Sequence, residues 1–164
     1  MKRAGSLVDR ILARARAELE ADVCEATGHN DGLPSTRYMG GRQEPWCAHA
    51  IAYLYREEGA PLPGDVVPDP HHANPLALVA TMERVFREHG WLVTSPMRGD
   101  LIFFAAREHS DHSRGGRHVA IIERVALTTI STLGANEGNS WRRTTYRRAG
   151  LDARVTSYGR RPEP

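Results

Sequence analysis

Cys47 stands in EPWCAHAIAYLY, residues 44–55, between a Pro-Trp pair and a run of apolar residues. Proline tolerates the first position of a helix and glycine the left-handed C-cap, so a helix is predicted from Pro45 to near Gly59. The cysteine then lies in the first turn, where unpaired backbone N–H groups and the positive end of the helix dipole favour a thiolate. A thiolate there is a nucleophile. A free thiol on a helix face is otherwise a small buried hydrophobe, and position alone leaves both readings open.

A thiol nucleophile needs a histidine to take its proton and a third polar group to orient that histidine. His118 is the best candidate, because it opens the apolar run HVAIIERV directly after Gly115, Gly116 and Arg117. An imidazole at a strand mouth is held by rigid backbone yet faces an open cleft. Glu137 and Asn139, in the NEGN turn that ends the following strand, are suited to hydrogen-bond its second nitrogen or to donate to a developing oxyanion. Taken singly, each is equally an ordinary turn or strand-end residue. Trp46 is expected at the rim of a substrate groove, where an aromatic suits sugar-peptide contacts, with packing beneath the helix as its alternative.

Other reactive residue types fit less well. EHSDHSRGGRH, residues 108–118, offers His109, Asp111 and His112 beside His118, but its H-x-x-H spacing is not the helical H-E-x-x-H signature, so no metal and no cofactor are expected. His71 and His72 sit in a Pro-rich turn and should be exposed. Cys24 has no basic neighbour and no paired histidine, which makes packing its better explanation. Without a disulfide framework the default is two free thiols. The RGD at 98–100 is read as a turn entering a buried strand rather than an adhesion tripeptide.

The elements that must position these residues are legible in the hydrophobic pattern. Leu7, Val8, Ile11, Leu12, Ala15 and Leu19 recur at helical spacing, with Ser6 placed to cap a helix over 7–21. Residues 27–44 lack periodicity and read as a long loop, and 60–74 are rich in proline turns. Asn74-Pro75 restarts a helix with Leu76, Val79, Met82, Val85 and Phe86 on one face, closed by Gly90. Beyond Trp91 the pattern turns extended: DLIFFAA (100–106), HVAIIERV (118–125) and LTTISTL (127–133), then the weaker RRTTYRR (142–148) and ARVTSYG (153–159). Helices first and strands second predict an α+β domain, with N-terminal helices packed on one face of a C-terminal antiparallel sheet.

The chain has 164 residues, which suits one domain, and 40% are hydrophobic and 26% charged, ordinary for a globular protein. No stretch approaches the ~18 apolar residues a membrane span needs. Arg10, Arg14, Arg16, Glu18 and Glu20 interrupt the N-terminal segment, so no secretory signal is read and a cytoplasmic protein, released or exported by another route, is expected. A net charge of +2 is too mild to imply a nucleic-acid partner. The last quarter is more one-sided: Arg142, Arg143, Arg147, Arg148, Arg154, Arg160 and Arg161 face only Asp152, Glu137 and Glu163. That excess favours an anionic polymer, such as nucleic acid or a cell-wall glycan, or is simply a solvated face. A monomer is expected.

PWCAHAIAYLY, RGDLIFF, RHVAIIERV and ANEGN, closed by RVTSYGRRP, follow one another in an order that resembles the CHAP domain. This is the cysteine- and histidine-dependent amidohydrolase/peptidase group of the NlpC/P60-like, papain-like superfamily, and the resemblance covers about residues 25–162. It implies a papain-like fold and cleavage of peptidoglycan, either at the amide joining N-acetylmuramic acid to the stem peptide or within stem peptides and cross-bridges. By position it makes Cys47 the nucleophile, His118 the general base, Glu137 the residue orienting His118 and Asn139 a polar helper, with the Cys47 N–H as an oxyanion donor. The chain departs from the family at His49, where many relatives are acidic, and at Asn136, where an apolar residue is usual. His49 is read as a structural or rim histidine, since residues i and i+2 of a helix lie on different faces. Asn136 is read as part of the substrate site. The alternative function is a non-catalytic CHAP-like module of a phage tail or secretion assembly.

Overall fold

A computed structural model describes residues 5–106 and 117–163, so His109, Asp111 and His112 lie outside the described residues. The first helix, α1 (Leu7–Glu20), begins where the sequence places it: the Ser6 hydroxyl accepts the Asp9 N–H at 3.1 Å, and the Glu163 carboxylate accepts the Leu7 N–H at 2.8 Å. Its apolar stripe, Leu7, Ile11, Leu12 and Ala15, is buried.

The predicted loop over 27–44 contains a short helix, α2 (Leu33–Tyr38), and this corrects the sequence reading. Six residues are under two turns, too few to show a period. Pro34 starts the helix and tertiary contacts hold it: Ser35 Oγ donates to the Arg42 carbonyl at 2.6 Å, and the Tyr38 hydroxyl donates to Glu18 at 2.6 Å. Helix α3 (Cys47–Glu57) starts two residues later than predicted, with Trp46 as its cap, and Gly59 closes it at φ 72°. The helix predicted from Pro75 is two pieces. A 3-10 turn (Pro75–Ala77) is capped by the Asn74 side chain, Leu78 is extended, and α4 (Val79–Glu88) follows. Among the described residues no helix is long and apolar enough to cross a membrane.

Six strands follow: β1 (Leu92–Val93), β2 (Leu101–Phe104), β3 (His118–Val125), β4 (Thr129–Glu137), β5 (Ser140–Arg147) and β6 (Val155–Gly159). They form one antiparallel sheet in the order β1-β6-β2-β3-β4-β5. The chain is α+β with helices packed against the sheet, as its sequence predicts. β1 lies outside the predicted strands, because two residues carry no alternation to read. β4 runs past the predicted end at 133 to Glu137. The hairpin to β5 is therefore the tight Gly138-Asn139 pair, at φ 60° and 67°, the positive values that a type I′ turn requires.

Pleating sends alternate residues to opposite faces. Leu101, Phe103, Val119, Ile121, Leu133 and Ala135 meet the helices in the main core. Ile102, Phe104, Ala120, Ile122 and Ile130 form a smaller cluster on the helix-free face, where Leu151 packs on them. The RGD turn is fixed on all sides, as a turn into a buried strand should be. Arg98 pairs with Asp9 at 2.8 Å, Asp100 is buried and pairs with Arg160 at 2.8 Å, and a Cβ on Gly99 would meet Val8 at 2.5 Å.

Candidate active site

Cys47 is the first residue of α3, and the β3–β4 ladder stops at Ile121–Leu133, which leaves His118 and Val119 unpaired on the β4 side. The helix N-terminus comes to this opening. The His118 side chain and the backbone N–H groups of Val119 and Ala48 lie close enough to the Cys47 sulfur to stabilise its thiolate. His118 Nε2 lies 3.0 Å from Glu137 Oε1, so Nδ1 is the ring nitrogen left for the sulfur. Thr144 on β5 donates to the other Glu137 oxygen at 2.5 Å. One sulfur, one imidazole and one carboxylate from α3, β3 and β4 are thus linked in series.

The electrostatics follow from these contacts. Burial alone would raise the Cys47 thiol, but the hydrogen bond and charge of His118 and the two backbone N–H groups outweigh it, and the thiol falls below its ordinary value. Burial alone would lower His118; hydrogen bonds to Cys47 and Glu137 instead push it up to about 10. Both shifts favour a thiolate-imidazolium pair. Cys47 is 6% exposed and the His118 side chain 24%, so the pair is sheltered but open on the imidazole side. Such a pair is chemically fit to attack a carbonyl carbon and protonate the departing group.

The space for Glu137 comes from Gly134. The β4–β5 register shifts between these two residues, and a Cβ added at Gly134 would lie 1.9 Å from Glu137 Oε1. Glycine inside a strand marks such a close approach, and this signal in TLGANE was available in the sequence. Thr144 was hidden, since only the register brings a β5 hydroxyl to Glu137. Phe104, paired with His118 across β2 and β3, stacks on the imidazole with ring centroids 5.9 Å apart. Its apolar strand context gave no hint of that role.

Other predicted site residues lie elsewhere. Trp46 is fully buried, stacked on Tyr38 at 5.5 Å with Nε1 donating to Glu25 at 2.8 Å; it packs beneath the helix and does not line a rim. As the residue before a buried helix start, its ring has the core as its nearest apolar surroundings. Asn139 forms the hairpin, where its carbonyl accepts the Glu25 N–H at 2.8 Å, and among the described residues no hydrogen bond joins its side chain to Cys47, His118 or Glu137. Asn136, at φ 59°, donates to Asn30 at 3.2 Å and so ties β4 to the 24–32 loop.

His49 is buried on Glu44 at 2.9 Å, with burial the larger influence keeping it neutral; it is structural, not a rim group. Both cysteines are free, Cys24 being exposed. His71 and His72 are exposed, as their turn predicts. Among the described residues no group of three or more His, Cys, Asp or Glu could hold a metal ion.

No protein-family model and no curated protein matches the chain. Among solved structures it is similar to the crystal structure of Ly7917, with a TM-score of 0.56 and 20% identity over 94% of this chain and 62% of that one. A structure of Ly7917 with the hydrolyzing product of MDP gives a TM-score of 0.49 and 17% identity, over 92% and 61% of the two chains. At this identity the likeness shows the fold, and the chain spans less than two thirds of Ly7917.

Proposed function

We propose that the protein is a cysteine amidohydrolase of peptidoglycan, cleaving either the N-acetylmuramoyl-L-alanine amide or an amide of the stem peptide or cross-bridge. The single observation that carries the chemistry is the serial linkage of the Cys47 sulfur, the His118 ring and the Glu137 carboxylate at the start of α3. The substrate class is supported by the resemblance of the four sequence blocks to the CHAP domain.

In the mechanism the Cys47 thiolate attacks the amide carbonyl carbon, and the electron pair moves to oxygen, where the Cys47 N–H receives it. The C–N bond then breaks as imidazolium donates its proton to the leaving amine, giving a thioester and neutral His118. His118 next takes a proton from water, the hydroxide adds to the thioester, and collapse releases the acid and restores the pair. Glu137 holds the ring and stabilises its charged form. The Arg-rich C-terminal quarter supports attraction to an acidic wall.

The test is the clearing of a cell-wall suspension by purified protein, with mass spectrometry of the soluble fragments to identify the bond. Loss of clearing in Cys47→Ala is expected. Clearing by Cys47→Ala at the wild-type rate would overturn the reading, and absence of clearing and of fragments with the wild type would favour a binding module.

A further inference from the structure

The helix-free face of the sheet carries more than the catalytic pair requires. His118 shares that face with Ala120 and Ile122, and Phe104 stacks on it. On Phe104 and on Tyr146 lies the guanidinium of Arg154, its Cζ 5.9 Å and 5.5 Å from the two ring centroids. Beside it opens a cleft of about 230 Å³ lined by Tyr146, Arg147, Ala149, Gly150, Leu151 and Arg154. Arg154 is half-buried, yet no described carboxylate pairs with it or with Arg147. Asp152 is the only acid between residues 138 and 162, and it forms no ion pair with either.

Ring faces hold a guanidinium by cation–π attraction but accept few of its hydrogen bonds, so the rings leave its edge donors unspent. That planar fork matches a carboxylate in bidentate fashion. Two successive separations of 5.9 Å, from Arg154 to Phe104 and from Phe104 to His118, bound its distance from the imidazole. An extended peptide covers that span in about four residues, at ~3.3 Å each.

We propose that Arg154, stacked on Phe104 and Tyr146, forms a subsite that binds a free carboxylate of an acidic peptide on the face carrying His118. This rests on the hydrolase reading for its link to catalysis but not for binding itself. The small cleft and the cation resting on two adjoining rings favour a peptide carboxylate over a phosphate polymer, which would be met by a row of solvent-facing cations.

The binding arm uses ¹⁵N-labelled Cys47→Ala protein, titrated with N-acetyl-alanyl-glutamate, with its diamide and with inorganic phosphate at matched ionic strength. Saturable shifts at the Gly150 amide and the Arg154 Nε–H are expected with the diacid, about tenfold weaker with the diamide and absent with the diacid in Arg154→Gln. Absence of saturable shifts at these groups, equal response to the diamide, or phosphate binding as tightly as the peptide would each overturn the subsite. The diacid, diamide and phosphate arms on Cys47→Ala alone need no folded Arg154 variant.

In turnover, Arg154→Gln is expected to raise KM about tenfold with kcat and the pH profile unchanged, and Arg154→Lys to recover part of the loss. A fall in kcat at unchanged KM would mark Arg154 as merely structural. Shifts without turnover would sink the hydrolase reading alone; turnover without shifts would sink the subsite alone.

Discussion

His118 Nε2 and Glu137 Oε1 are 3.0 Å apart across neighbouring strands, and the carboxylate's other oxygen is held by Thr144. A carboxylate fixed at both ends sets the ring's orientation and tautomer, and it favours the charged imidazole. Glu137→Gln keeps the size and removes the charge. The expected result is a fall in kcat of about 10²- to 10⁴-fold with the fold intact. Because the Glu137 hydrogen bond and charge are among the influences that raise His118, the high-pH limb of the rate profile, set by His118 at about 10, should move down. A variant with wild-type kcat and an unmoved limb would show that the pair is ornamental.

Cys47 titrates below the ordinary thiol value, so the thiolate is already present below pH ~8.5. The measurable consequence is the rate of iodoacetamide alkylation against pH, in a Cys24→Ser background so that one thiol is followed. The midpoint is expected below ~8.5, and His118→Ala should move it upward, since burial then acts on the thiol without its main opponent. A midpoint at or above ~8.5 with His118 present would contradict the ion pair.

How far the sequence discloses this site depends on the range of the interaction concerned. Cys47 is legible because helix-start chemistry is local, and His118 because a Gly-Gly-Arg run precedes a clear strand. Glu137 could be named, but Thr144, which holds it, could not, since its role exists only once β5 pairs with β4 in one register. Trp46 failed for a related reason. An aromatic next to a nucleophile reads as a groove wall, and only Tyr38, from a helix too short to show a period, reveals the stacking partner that buries it. Asn136 and Asn139 look like site groups in one dimension, whereas their positive φ angles show that backbone geometry selects them.

Glu83 on α4 is 3% exposed and accepts hydrogen bonds from Arg117, Thr156 and Ser157, which ties α4 to β6 and to the residue before His118. Burial would raise this carboxyl, but the hydrogen bonds from Ser157, Thr156 and Arg117 outweigh it and lower it. Its folded value therefore lies below the unfolded ~4.3, so its stabilisation is present above pH ~4.3 and is lost as pH falls further. Glu83→Ala is expected to cost about 2–4 kcal/mol near pH 7, because Arg117 is left without its anion. Denaturant titrations should show the gap between variant and wild type narrowing below pH ~4. A gap constant from pH 7 to 3 would assign the loss to packing alone.

Gly134 offers the sharpest separation of site from scaffold. A strand alanine ordinarily improves on glycine by roughly 0.5–1 kcal/mol, because the unfolded chain loses freedom. Here the added methyl would fall 1.9 Å from Glu137 Oε1, while the atom it meets is the far end of a flexible side chain. The carboxylate can swing away without moving the sheet. Gly134→Ala should therefore keep the wild-type melting temperature or exceed it, yet lose about 10²-fold or more in kcat, since His118 would be left without its anchor. Its pH–rate profile should match that of Glu137→Gln, as both remove the same contact by different means. A stable Gly134→Ala protein with full activity would mean that the Glu137 carboxylate need not lie over the bare backbone of β4 for turnover.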